Sequence, residues 1–164
     1  MSDYIFSFLD PMYCCVKDRL TLLKISTAMN MSWAWLRQNH GDDVAKWNGI
    51  SVKGGRVVKV SWTRQTLDSH IPSEFGDLTG LAELDLSRTG LTGEIPKSFQ
   101  TLKALTKLDL SNNSLTGDAQ SLRPLKNLKK LTAIYLVHNL FPAQEVPPVL
   151  YKRGGVLNEF LTKL

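Results

Sequence analysis

The sequence predicts an α/β fold: a short solenoid of about four stacked repeats, entered through a helical cap. Three observations carry that reading. Leucines recur in one pattern at a step of 24 residues; an Ile-Pro-x-x-Phe motif recurs at the same step; and glycine and proline fall at fixed places between the copies. Self-similarity at a period of 20–50 residues marks a repeat architecture.

The pattern is Leu81-x-x-Leu84-x-Leu86-x-x-Thr89-x-Leu91, followed by Leu105-x-x-Leu108-x-Leu110-x-x-Asn113-x-Leu115. Stepping back by 24 reaches Val57, Val60, Trp62, Gln65 and Leu67. Stepping forward by 26 reaches Leu131, Ile134, Leu136, Asn139 and Phe141. Ile71-Pro72-x-x-Phe75 and Ile95-Pro96-x-x-Phe99 lie between the copies. Each Leu-x-Leu pair sends two side chains to one face of a short extended strand. The chain turns at the Asn-like position, whose side chain can satisfy backbone groups of the turn, and then runs back along the other side. One such unit cannot bury its leucines alone, whereas stacked copies form a continuous core. Each buried leucine contributes on the order of 2 kcal/mol. The alternative, a leucine-rich amphipathic helix, fails because glycine and proline recur where they would break it.

These segments resemble the plant-type leucine-rich repeat, LxxLxxLxLSxNxLTGxIPxxF. Leu84-Asp85-Leu86-Ser87 through Leu91-Thr92-Gly93-Glu94-Ile95-Pro96 carry the likeness, as do Leu108-Asp109-Leu110-Ser111-Asn112-Asn113-Ser114-Leu115-Thr116-Gly117. The resemblance implies a right-handed solenoid, a parallel sheet lining its concave face, and a role in protein recognition. Upstream, Asp18-Arg19-Leu20-Thr21-Leu22-Leu23-Lys24 reads as a capped amphipathic helix with Asp18 at its N-cap. Trp47-Asn48-Gly49-Ile50-Ser51-Val52 and Gly54-Gly55-Arg56-Val57 follow. Together they resemble the N-terminal cap of plant and protist repeat proteins. Secreted relatives place a cysteine where this chain has Val52, so the resemblance implies a cap held by packing instead of a disulfide. Trp33, Trp35 and Trp47 read as core of that cap.

The resulting division is an N-terminal extension (1–17), a helical cap (18–56), repeats (57–145) and a C-terminal cap (146–164). In the last segment Val156, Leu157, Phe160, Leu161 and Leu164 recur at helical spacing. A terminal cap covers the last repeat and keeps a solenoid soluble; a partner-docking helix is the alternative reading.

Bulk properties agree with one folded domain: 164 residues, 43% of them hydrophobic. No apolar run approaches the roughly 18 residues of a membrane-spanning helix. Met1 to Phe8 is apolar but lacks a basic leader, and Cys14 and Cys15 are adjacent, which offers no disulfide framework. These features point to an intracellular, cytoplasmic protein, or else to one whose signal has been removed. The cysteine pair reads as two small hydrophobes, with a redox dithiol or a lipidation site as the functional alternatives. Net charge is +5 and uneven: residues 97–164 carry ten Lys/Arg against four Asp/Glu, and residues 1–96 carry ten against eleven.

Chemistry is hard to place in this chain. His40, His70 and His138 share no ligand spacing with each other or with the cysteines. Lys53-Gly54-Gly55-Arg56 lacks the length and ending of a phosphate loop. Asp85 and Asp109 hold one place in successive repeats and would stack about 4.8 Å apart, yet the repeat pattern itself accounts for them. The expectation is a non-catalytic module needing no metal or cofactor.

The binding surface is expected on the concave face, where the variable positions around each Leu-x-Leu point outward. In register they are Lys59, Glu83, Lys107 and Ala133; Ser61, Asp85, Asp109 and Tyr135; and, outermost, Arg64, Arg88, Asn112 and His138. The expected partner is another protein, with the chain free or a subunit of a larger assembly. The alternative is a nucleic acid held by the basic half through Arg123, Lys126, Lys129, Lys130, Lys152 and Arg153.

Overall fold

The computed structural model describes residues 16–32, 36, 43–142 and, as backbone, 149–151. Cys14, Cys15, Trp33, Trp35, His40, Lys152, Arg153 and the stretch from Val156 expected to be helical lie outside the described residues.

Helix α1 spans Val16–Ala28. Its inward face includes Asp18, Leu22 and Ile25, with Met29 just past its end, all fully buried at the spacing that puts side chains on one helical face. The helix stops at an asparagine: Asn30 has φ +51°, Met31 N donates to Ser26 O at 2.9 Å, and Asn30 N donates to Thr27 O at 3.1 Å. This is a Schellman stop, in which the last carbonyls find donors beyond the helix.

The N-terminal expectation for this helix needs correction. Asp18 is not the N-cap, because Val16 and Lys17 before it are already helical. Its carboxylate has a distant use. Arg56 Nε donates to Oδ2 at 2.9 Å, Arg56 Nη2 to Oδ1 at 3.0 Å, and the backbone N–H of Val57 to Oδ2 at 2.9 Å. A fully buried carboxylate needs such partners, and the repeat sheet supplies them. The cap is therefore locked to the repeats by a charge pair as well as by packing.

A short 3-10 helix, Val44–Lys46, leads into strand β1 (Ile50–Lys53), which forms an antiparallel hairpin with β2 (Arg56–Ser61). Gly49 is required at this corner. Its φ is +69°, and a Cβ there would meet Ser61 O at 2.1 Å. Trp47 is 2% exposed, and Trp62, fully buried, donates its indole N–H to Asn48 O at 2.9 Å.

From β2 onward the repeats stack as the steps of 24 and 26 residues predict. Strands β2, β3 (Glu83–Asp85), β5 (Lys107–Asp109) and β7 (Ala133–Tyr135) run parallel, with Val60, Leu84, Leu108 and Ile134 in register. A second small parallel pair joins β4 (Thr92–Gly93) to β6 (Ser114–Leu115). The outer side carries 3-10 helices at Ser73–Asp77, Lys97–Thr101 and Ala119–Leu125. Strand β8 (Val149–Tyr151) adds antiparallel to β7 at the sheet's far edge. It falls within the segment read as a C-terminal cap.

Between sheet and helices lies one core. The repeat leucines are buried, and Trp62, Phe75 and Phe99 form an aromatic row with ring centroids 6.1 and 6.3 Å apart. The turn side chain fulfils its expected role at Asn113. Its Oδ1 accepts from Thr89 N, Thr89 Oγ1 and Leu91 N, while Nδ2 donates to Leu86 O, Leu110 O and Ser111 O. Asn139 repeats the role toward Leu115 N, Leu110 O and Leu136 O. Each asparagine thus ties two successive turns together, satisfying backbone groups that burial would otherwise leave unpaired.

Candidate functional site: the concave sheet face

Three columns of side chains cross the sheet. The pairing register sets Lys59 beside Glu83, Glu83 beside Lys107, and Lys107 beside Ala133. Ser61, Asp85, Asp109 and Tyr135 form the second column by the same register. Leu84 and Leu108 between them point inward and are buried, which turns both columns outward, since successive strand residues face opposite sides.

Most charges here are already engaged. Lys59 Nζ lies 3.0 Å from Glu83 Oε2. Lys107 Nζ sits 5.4 Å from the centroid of the Tyr135 ring, within cation–π range. Asp85 Oδ1 accepts from Ser87 N at 3.1 Å. Asp109 Oδ1 accepts from Ser111 N at 3.0 Å and from Ser111 Oγ at 2.7 Å. The two aspartates are neighbours in register, and each shapes the turn that follows its own strand.

The third column differs. Arg64, Arg88, Asn112 and His138 adopt φ of 57°, 59°, 56° and 57°, a left-handed conformation that costs a non-glycine residue free energy. The neighbouring strand holds three of them there. Arg64 N donates to Ser87 O at 3.2 Å, Arg88 N to Ser111 O at 3.0 Å, and Asn112 N to Val137 O at 2.8 Å. The backbone ladder therefore continues past the strands and fixes this rim. Arg64, Arg88 and His138 are exposed; Asn112 is half-buried. Among the described residues, neither the Arg64 nor the Arg88 guanidinium has a hydrogen-bond or ion-pair partner.

The basic residues of the second half lie elsewhere. Arg123 and Lys126 belong to the outer helix Ala119–Leu125 and its C-cap, and Lys129 and Lys130 to the turn before β7. All four are exposed, and the fold does not bring them to the concave columns. Among the described residues there is no cluster of three potential metal ligands and no helix long and apolar enough to cross a membrane.

The leucine rich repeat family matches residues 69–115 and 79–141. A plant ice-binding protein superposes with a TM-score of 0.70 at 28% identity, over 78% of this chain and 42% of that one. The complex PEPR1-AtPEP1 gives 0.65 at 27% identity, over 76% of this chain and 18% of that one. The ectodomain of the receptor kinase SOBIR1 from Arabidopsis thaliana gives 0.64 at 21% identity, over 79% and 71%, a likeness of fold alone. The chain spans under half the length of the first two. No curated protein matches it in sequence. Repeat match, strand register and solved neighbours agree: residues 69–141 carry leucine-rich repeats, and the fold is similar to that of the plant ice-binding protein and of PEPR1.

Proposed function

We propose that the protein binds another protein through the concave sheet face, with Arg64 and Arg88 as the principal contacts. The carrying observation is the asymmetry of that face. Its acids and lysines are engaged within the fold, while two arginines stand unpaired on a rim fixed by backbone hydrogen bonds. Arginine is favoured at interface hot spots because it offers large area and directed hydrogen bonds. A solenoid's inner surface suits such work, being extended and rigid. Lys59, Ser61, Glu83, Asp85, Lys107, Asp109, Asn112, Tyr135 and His138 complete the surface. The solved neighbour PEPR1, crystallised with AtPEP1, lends the reading support by analogy.

The same proposal makes the chain a non-catalytic module, alone or as a subunit of a larger assembly, with an intracellular home. The test is capture of the partner from the native source, followed by hydrogen exchange on the reconstituted complex. Slowed exchange confined to 59–64, 83–88 and 107–112 supports the proposal. Slowed exchange confined to 119–130 contradicts it and favours the outer basic residues.

A further inference from the structure

The outer side of the solenoid is closed between one pair of repeats and open between the next. Helices Ser73–Asp77 and Lys97–Thr101 meet closely because residue 76 is glycine: a Cβ there would lie 2.6 Å from Ser98 Cβ. Ser98 Oγ donates to Ser73 O at 2.6 Å, and Thr101 Oγ1 donates to Gly76 O. One repeat later, Gln100 takes the place of Gly76 and Pro124 that of Ser98. The glutamine side chain blocks the close approach, and proline has no side-chain donor for the facing carbonyl. An open cleft of about 400 Å³ lies between these two helices.

The cleft's lining is chemically specific. Lys97 and Arg123 occupy the same repeat position on the two facing helices, and both line it. Gln100, Gln120 and Ser121 add amide and hydroxyl groups, and Glu94 adds a carboxylate. Lys97 has no ion-pair partner among the described residues.

We propose that this cleft binds a phosphate monoester carried on a small hydroxylated body. A monoester bears about −1.5 to −2 charges at neutral pH, which matches cations approaching from two walls better than a singly charged carboxylate does. The carboxylate of Glu94 would repel a ligand that is anionic throughout. It suits one whose remainder donates hydroxyl protons, and the two glutamines can both donate to and accept from such a body. The volume lies within the range of small-molecule sites, about 300–1,000 Å³. A free phosphate ester and the headgroup of a phosphorylated lipid share this chemistry. The site lies on the opposite side from the concave columns, so it stands or falls independently of the protein-binding surface.

The test is a titration of the full chain, followed by amide NMR shifts, with glucose 6-phosphate, with glucose, and separately with phosphatidylcholine vesicles containing or lacking phosphatidylinositol phosphate. Saturable shifts at Lys97, Gln100 and Ser121 with glucose 6-phosphate, absent with glucose, support a soluble ester. Retention on the phosphoinositide vesicles alone, lost in the variant below, supports the lipid source. The double variant Lys97→Ala with Arg123→Ala should weaken binding at least about ten-fold, the loss of one charge-assisted hydrogen bond. Circular dichroism checks that the double variant stays folded at the titration temperature, since Arg123 also has a partner within the protein. The proposal is overturned if no probe binds, if glucose gives the same shifts, or if Lys129→Glu weakens binding as much as the double variant does.

Discussion

Two buried polar side chains join neighbouring parts of this molecule, and they do so differently. Asn113 ties one repeat to the next. It is neutral, it serves backbone groups only 2 to 27 residues away, and Asn139 repeats its role. Asp18 ties the cap to the first repeat. It is ionisable, it reaches 38 residues along the chain to a guanidinium, and it has no counterpart in the repeats. A repeating joint can use a neutral amide because identical turns always present the same donors and acceptors. The single joint between unlike elements needs partners that the sequence supplies once: Arg56 for charge and the Val57 N–H for geometry.

The cap joint should break more expensively when its exposed member is removed. Arg56 is partly exposed, with 38% of its side chain accessible, whereas Asp18 is fully buried. Arg56→Ala leaves the buried carboxylate without its countercharge, though the Val57 N–H still donates to it, and removing one member of a buried pair costs about 3–5 kcal/mol. Asp18→Asn leaves a guanidinium that can turn toward water, and it should cost less than Arg56→Ala in the same urea titration. If the order is reversed, the carboxylate is not the member that depends on the pair. Hydrogen exchange on Arg56→Ala should show lost protection in 18–29 before any in 83–110.

The repeat joint should come next in size. Asn113→Ala abandons several buried backbone groups, each costing about 1–3 kcal/mol when unpaired. We expect a loss of about 3 kcal/mol, measured by denaturant unfolding. Asn139→Ala should cost less, because Asn139 is only half-buried and accepts fewer hydrogen bonds. Equal costs would mean that repeat position alone, and not burial, sets the strength of the joint.

The smallest effect belongs to the concave surface. Lys59 and Glu83 each keep nearly half of their side-chain surface exposed, at 46% and 45%. Exposed pairs couple by roughly 0.2–1 kcal/mol. A double-mutant cycle on Lys59→Ala and Glu83→Ala should therefore return a coupling of about 0.5 kcal/mol that fades with salt. A coupling several times larger would show that this pair is part of the fold's architecture.

The same comparison explains what the sequence disclosed. Anything repeated was legible: the leucine registers, the four parallel strands, the Phe75–Phe99 spacing and the asparagine turns all follow from steps of 24 and, into the last repeat, 26. Anything occurring once was not. Asp18 sits at the start of a helix-like run, where an aspartate is ordinarily a cap, and nothing local points to Arg56. The pairing of β4 with β6 and the addition of β8 carry no marker beyond short extended stretches. The concave columns were legible as positions, since alternation along a strand fixes which residues face out. Which of their charges are free was not legible. That depends on turn hydrogen bonds from Ser87 and Ser111, and on the reach of Lys107 to Tyr135. The 26-residue step was visible, but its consequence, an open cleft beside Pro124, needed the facing helix.

The central claim is that a fixed rim bearing Arg64 and Arg88 recognises a protein, and charge reversal tests it most directly. Arg64→Glu with Arg88→Glu alters exposed side chains, which shift stability by about 0.5 kcal/mol at most. Unfolding should therefore match the natural chain. Affinity for the captured partner should fall by 2–5 kcal/mol, roughly thirty-fold to several-thousand-fold. Lys129→Glu with Lys130→Glu, on the outer turn, should leave that affinity unchanged. Full binding by the arginine variant, together with lost binding by the lysine variant, would contradict the account.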